Sequence, residues 1–371
     1  MTQTGIEQRE KQQSAMGTGH TWAEIRQQPE LWPTTAKRVQ EGIARLQLQA
    51  RLKDARVVIT GAGTSAYAAS AVAAAWSRSI AVPSTDLLLR TERYMEDATV
   101  LVSLARSGNS PESMAVVERV RGLRPDVWHL AVTCNPEGAL ATSPLVNSII
   151  LDPRTNDQSL VMTSSYSNLL LAGLCLAKGD LMDSVIATAA AEAQSKFTLI
   201  NQKVGDLASR VEDRVLVLAS APLFGWAQEG ALKVLEMTAG RFPVMAETYL
   251  GLRHGPMSFI CSDTMVLCLL SNDPVARLYE QDLVQELRSK KLGYLVGVCP
   301  HDDGQSETAQ LFDEVIPSLA PKSPDVLRTP FEILCLQLFG YHLNVRVGLN
   351  PDSPSPVGVI NRVVQGVRIY K

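Results

Sequence analysis

Six short apolar runs punctuate the chain: Arg56-Val-Val-Ile-Thr60, Thr99-Val-Leu-Val-Ser-Leu104, Val127-Trp-His-Leu-Ala-Val-Thr133, Arg214-Val-Leu-Val-Leu-Ala219, Thr264-Met-Val-Leu-Cys-Leu-Leu270 and Tyr294-Leu-Val-Gly-Val-Cys299. Each is rich in Val, Leu or Ile, ends at small or turn residues and precedes a helix-like stretch. Continuous runs of this kind predict strands buried on both faces of a parallel sheet. The first three runs match the last three at a nearly constant separation, so the pattern predicts two copies of one domain and a three-layer, doubly wound α/β fold. Met182 to Arg210, alanine-rich and free of Gly and Pro until Gly205, reads as a helix linking the halves. His20 to Leu52 reads as a helical lead-in punctuated by Pro29 and Pro33. After Asn344 the chain turns irregular, with Gly348, Pro351, Pro354, Pro356 and Gly358 leading to Asn361 and Arg362. The expected organisation is therefore a lead-in at 1–52, a first domain at 53–195, a second at 196–346 and a tail at 347–371.

Composition narrows the function classes. At 371 residues and 46% hydrophobic content the chain can bury two cores. A net charge of −3 offers no basic stripe for nucleic acid or an anionic membrane. The six cysteines form no C-x-x-C pair and sit mostly in apolar runs, which fits free buried thiols rather than disulfides or a metal site. Met1 to Gln13 has no apolar core of a leader, and no apolar run reaches the roughly 18 residues of a spanning helix, so the expected location is the cytoplasm.

Two strand-to-helix turns carry anion-binding chemistry. Gly61-Ala-Gly-Thr-Ser65 follows the first strand, and Arg106-Ser-Gly-Asn-Ser-Pro-Glu-Ser113 follows the second. Such turns place backbone N–H groups and a helix N-terminus at the carboxyl edge of the sheet. The candidate phosphate-binding residues are Gly63, Thr64, Ser65, Arg106, Ser107, Gly108, Asn109, Ser110 and Ser113. A dinucleotide site fits less well, because Ala66 stands where the third glycine is needed. Arg106 either binds phosphate or pairs with Glu112. Met162-Thr-Ser-Ser-Tyr-Ser167 opens an apolar helix with a hydroxyl cluster, from which Thr163 and Ser164 are taken as substrate-facing. Helix capping is the plainer role for one of them. The second copy's loops, Ser220-Ala-Pro-Leu-Phe-Gly225 and Ser271-Asn-Asp-Pro274, lack a comparable cradle.

Gln228-Glu-Gly-Ala-Leu-Lys-Val-Leu-Glu236, with Gly251-Leu-Arg-His-Gly-Pro256 shortly after, supplies a lysine, carboxylates and a histidine beside glycine turns. On a helix Glu229, Lys233 and Glu236 share a face. An ordinary surface ion pair would account for the spacing, but the residues between the charges are apolar or small.

On these motifs the chain resembles the sugar isomerase (SIS) domain family over nearly everything after the first 50 residues. The tandem-domain members are the nearest in pattern: the isomerase half of glucosamine-6-phosphate synthase and the galactosamine-6-phosphate deaminase/isomerases. The resemblance implies that Glu236 is the base moving a proton between sugar C1 and C2, that His254 assists ring opening and that Lys233 lines the same site. It implies a histidine loop that can reach a neighbouring subunit, hence a homodimer or larger, and no metal or organic cofactor. Ala105-Arg106-Ser107 departs from the synthase loop and points to the deaminase/isomerase branch. No cysteine precedes Cys134, which leaves no nucleophile for a glutamine amidotransferase. The resemblance therefore implies conversion of a 2-amino-2-deoxyhexose 6-phosphate, best galactosamine 6-phosphate, to tagatose 6-phosphate and ammonia. A plain aldose–ketose isomerase, or a non-catalytic sugar-phosphate sensor, are the alternatives. Asn361 and Arg362 are carried as tail residues that close over the substrate, with a solvated terminus as the alternative.

Overall fold

All six apolar runs are strands in the computed structural model, which describes residues 17–299, 306–364 and 366–370. The reading of Met1 to Gln13 lies outside them. Among the described residues ten strands form two five-stranded sheets, with every neighbouring pair parallel. The first sheet comprises β1 (Val57–Gly61), β2 (Ser79–Pro83), β3 (Val100–Ala105), β4 (Trp128–Thr133) and β5 (Asn147–Ile150), in the order β2-β1-β3-β4-β5. The second comprises β6 (Arg214–Ala219), β7 (Val244–Glu247), β8 (Thr264–Leu269), β9 (Tyr294–Cys299) and β10 (Glu314–Pro317), in the order β7-β6-β8-β9-β10. The two orders are the same, so the repeat inferred from spaced apolar runs is a repeat of topology.

The helices used below are α1 (Gly19–Leu46), α2 (Thr64–Ala75), α3 (Pro111–Leu123), α4 (Ala139–Thr142), α5 (Ser164–Lys178), α6 (Met182–Arg210), α7 (Phe224–Met237), α8 (Tyr249–Leu252), α9 (Pro274–Ser289) and α10 (Thr329–Arg346). Both lead-in prolines lie inside α1, and α6 has the bounds that its alanine-rich sequence predicts.

By internal contacts the chain divides into two units. Of the described residues, one unit holds those of 27–157, 162–187 and 358–370 around the first sheet; the other holds those of 17–26, 158–161 and 188–357 around the second. The four-part division drawn from the sequence remains a proposal beside this one. In the first unit Val58 and Leu101 pack with Val82, Leu87, Val116 and Val120. Close packing of α2 on α5 depends on Gly173, where an added Cβ would lie 2.4 Å from a Val72 methyl. In the second unit Leu216, Leu218, Val266 and Cys268 pack with Leu283, Val284 and Leu287. Each sheet reverses its strand order beside its first strand, and the loops at that point leave from the carboxyl edge, where open α/β sheets bind ligands.

Candidate active site

In the first unit, the loops after β1 and β3 flank the reversal point. Gly61 is forced by proximity, since a Cβ there would meet the Ser65 backbone at 2.7 Å. Gly63 adopts φ 54°, ψ −129°, a conformation that a side chain disfavours, and it opens α2 without any side-chain cap. Thr64 and Ser65 follow, both nearly buried. In the second loop Gly108 has φ +65°. Asn135 Nδ2 donates to Ser107 O at 3.0 Å, Leu140 N–H to Gly108 O at 3.1 Å, and Ala139 N–H to Asn109 Oδ1 at 2.8 Å. The loop is thus pinned from the β4–α4 side, and Asn109 spends its carbonyl on the start of α4. Ser107 Oγ accepts from Asn109 N–H at 3.2 Å, and the Ser110 and Ser113 hydroxyls face each other at 2.6 Å. Helix α3 begins at Pro111 with no side-chain cap. Two helix N-termini with no side-chain cap, together with hydroxyl groups, make a local positive potential suited to an anion.

Arg106 is 7% exposed. Its guanidinium donates to the backbone carbonyl of Arg362 and stands electrostatically opposite Asp157. Arg362 reaches back with Nε and Nη2 to Asp157 O at 2.8 and 2.6 Å, and with Nη2 to Asn156 Oδ1 at 2.8 Å. The tail residue is therefore knitted to the first sheet's unit, while Asn361 beside it is exposed. Glu112 Oε2 has no hydrogen-bond partner. Asp157 is a buried carboxylate beside these residues that sequence reasoning missed. Its carboxylate accepts from Thr163 N–H at 2.8 Å, Ser165 N–H at 2.9 Å and Ser165 Oγ at 2.5 Å, so it caps α5 from six residues before Thr163. Caps are sought immediately before a helix, and no local pattern flags one at that distance. Burial raises the Asp157 carboxyl above its ordinary value, against the pull of Ser165, Thr163 and Arg106. Thr163 and Ser164 are fully buried, and Ser164 Oγ accepts from Asn168 Nδ2 at 3.3 Å. Burial pushes the neighbouring Cys134 thiol up to about 12, so it is no nucleophile at neutral pH.

In the second unit, α7 carries Glu229, Lys233 and Glu236 on one face, as the spacing predicts. Lys233 Nζ lies 3.1 Å from Glu229 Oε1 and 2.7 Å from Glu236 Oε2. The Glu229 and Lys233 side chains have no exposed area, whereas 23% of Glu236 is exposed. Tight packing against α10 explains this burial. At Gly230 an added Cβ would lie 2.0 Å from Leu336 Cδ1, and Trp226 Nε1 donates to Glu332 O at 3.0 Å. Burial alone would lower the Lys233 value, but the two carboxylates outweigh it and the value is raised. Its contribution to stability is therefore complete below the ordinary lysine value of 10.5 and is lost as pH rises through the higher folded value. Lys233 is a permanent cation that orients Glu236, the partly exposed member of the trio.

His254 stands in the turn after α8. Thr248 Oγ1 caps α8 by accepting from Gly251 N–H at 3.1 Å, Tyr249 OH donates to Leu269 O at 3.1 Å, and Gly255 turns the chain at φ +124°. Arg253 fixes the turn through Glu286 and Asp282, each at 2.8 Å. His254 itself is exposed, and no hydrogen bond joins its imidazole to another of the described residues. Among the described residues no cluster of three or more His, Cys, Asp or Glu could hold a metal ion, and no helix is long and apolar enough to cross a membrane.

No family model matches the chain. A protein of Shewanella sp. strain ANA-3, named D-galactosamine-6-phosphate deaminase AgaS, is 34% identical to it over 97% of this chain and 94% of its own length. The chain belongs to the AgaS family. A provisionally named AgaS deaminase of Streptomyces coelicolor is 36% identical over 95% of each chain. Among solved structures, the tagatose-6-phosphate ketose/aldose isomerase of Escherichia coli superposes with a TM-score of 0.82 at 28% identity, covering 96% of this chain and 98% of that one. In this AgaS-family chain each five-stranded sheet is one SIS domain, and the two stand in tandem.

Proposed function

We propose that this AgaS-family protein is an amino-sugar-phosphate deaminase/isomerase whose substrate is galactosamine 6-phosphate. The observation that carries the reading is the α7 trio, in which two groups are sealed and one carboxylate, Glu236, is held by a buried ammonium and still accessible. The names of the AgaS relatives and of the tagatose-6-phosphate isomerase support the same substrate class.

The 6-phosphate binds at the first SIS domain, at the N-termini of α2 and α3, with the hydroxyls of Thr64, Ser65, Ser107, Ser110 and Ser113 and the guanidinium of Arg106. His254 shuttles the proton at the ring oxygen as the pyranose opens to the aldehyde. Glu236 takes the proton from C2, giving an enolamine, and returns a proton to C1, giving an imine at C2. Water adds to that carbon, the C–N bond breaks, and ammonia leaves with the ketose 6-phosphate. Lys233 steadies the negative charge on Glu236 before abstraction. The exposed position of His254 fits a histidine offered to a neighbouring copy, so the working unit is proposed to be a homodimer or larger, acting in the cytoplasm.

The test is ammonia release, coupled to glutamate dehydrogenase, from galactosamine 6-phosphate and glucosamine 6-phosphate. Release from the galacto sugar with tagatose 6-phosphate as co-product is the expected result. Ketose formation from an unaminated aldose phosphate with no ammonia from either amino sugar would replace deaminase by isomerase. Within the cradle, Arg106→Ala is expected to raise KM about 10- to 100-fold with kcat nearly unchanged, the size of a charge-assisted hydrogen bond of about 1.5–3 kcal/mol. An unchanged KM would remove Arg106 from phosphate binding.

A further inference from the structure

The loop after β8 occupies, in the second SIS domain, the place that the loop after β3 occupies in the first. Both leave the third strand of a sheet of the same order, and both end at a proline that opens a helix, Pro111 of α3 and Pro274 of α9. The donors differ in who takes them. The α3 N-terminus has no side-chain cap, whereas in α9 Asp273 accepts from Val275 N–H at 2.9 Å and Ala276 N–H at 2.8 Å.

A second carboxylate completes the closure. Asp325, from the segment between β10 and α10, accepts from Asn272 N–H at 2.8 Å, from the Ser271 hydroxyl and, more distantly, from Asp273 N–H at 3.5 Å. Arg328, with no exposed area, donates to Asp325 Oδ1 at 2.8 Å and to Leu270 O at 2.8 Å. Consecutive backbone amides before a helix, a serine hydroxyl and a buried guanidinium are the donor set that a phosphate monoester uses. Burial opposes ionisation of Asp325, yet its bonds to Ser271, Asn272 and Arg328 win and hold the carboxyl below its ordinary value. The segment between β5 and α5 of the first domain also sends out a buried aspartate, Asp157, but that carboxylate turns to the N-terminus of α5.

We infer that the second SIS domain contains an oxyanion site of the phosphate-monoester class that is filled by the chain's own Asp325, so that the protein offers one sugar-phosphate cradle from two copies of one fold. Glu280 stands beside the site with its Oε2 accepting from Ser271 N–H at 2.7 Å. Burial raises its carboxyl above its ordinary value, against the pull of its bond from Ser271.

Thermal unfolding of the full-length protein in sodium chloride and in inorganic phosphate at matched ionic strength tests this. Asp325→Ala is expected to melt lower in chloride and to gain at least twice the phosphate-induced rise in Tm that the wild type shows. Asp325→Asn, which keeps the space filled, is expected to match the wild type. If Asp325→Ala folds in phosphate alone, the proposal is supported. If it folds in neither buffer, Asp325→Ser takes its place, with the same larger phosphate gain expected. Equal phosphate gains in wild type and in Asp325→Ala or Asp325→Ser would overturn the proposal. The two readings fail separately, because no phosphate gain in the wild type would speak against the first cradle, while equal gains in both proteins would speak only against a filled second one.

Discussion

Glu236→Gln is expected to lower kcat for ketose phosphate and ammonia formation by about 100- to 10,000-fold while leaving sugar-phosphate affinity within a few-fold. The argument rests on what the substitution spares. Lys233 Nζ donates to Glu236 Oε2 at 2.7 Å, and a glutamine carbonyl can accept the same hydrogen bond, so the packing of α7 is kept. What is lost is the capacity to carry a proton. Turnover in deuterated water gives an independent readout: wild-type product gains deuterium at C1, and the variant should not. A variant that retained full turnover would place the base elsewhere, whatever happened to the sugar's ring opening.

Lys233→Met should destabilise the second unit by about 3–5 kcal/mol, because removing one partner of a buried ion pair leaves charge without compensation. The Glu229 and Lys233 side chains have no exposed area, so solvent does not relieve the imbalance. Combining Lys233→Met with Glu229→Gln should recover part of the loss, since the pair is coupled. Denaturant unfolding of the single and double variants measures this. Additive losses would show that the interior tolerates the carboxylate and that the trio is not a coupled unit.

The second SIS domain's chemistry was legible where side-chain spacing on one helix decides geometry. Glu229, Lys233 and Glu236 meet because positions three and four apart share a face, and the structure brings them together. The six central strands were legible for a similar reason: β1, β3 and β8 are buried along their whole length, so their runs are apolar apart from the small hydroxyl residues Thr60, Ser103 and Thr264. The outer strands β2, β5 and β7 are only partly buried, and β10 is half so. Such short, half-covered segments carry neither a continuous nor a cleanly alternating pattern, and none of the four was read in advance. Asp157 and Asp325 were illegible for another reason. Each acts on backbone groups of a different loop or helix, and only the folded chain brings those donors to it.

The division of the chain also bears on how the cradle comes into being. The described residues after Val357 belong to the unit built on the first sheet, and Arg362 supplies the carbonyl that receives the Arg106 guanidinium. Arg106 and Arg362 stand 256 positions apart, so this hydrogen bond forms only when a distant segment of the chain folds back onto the loop after β3. Closing a loop of that length carries an entropic cost, so the ordering of Arg106 is expected to come late in the folding of this unit.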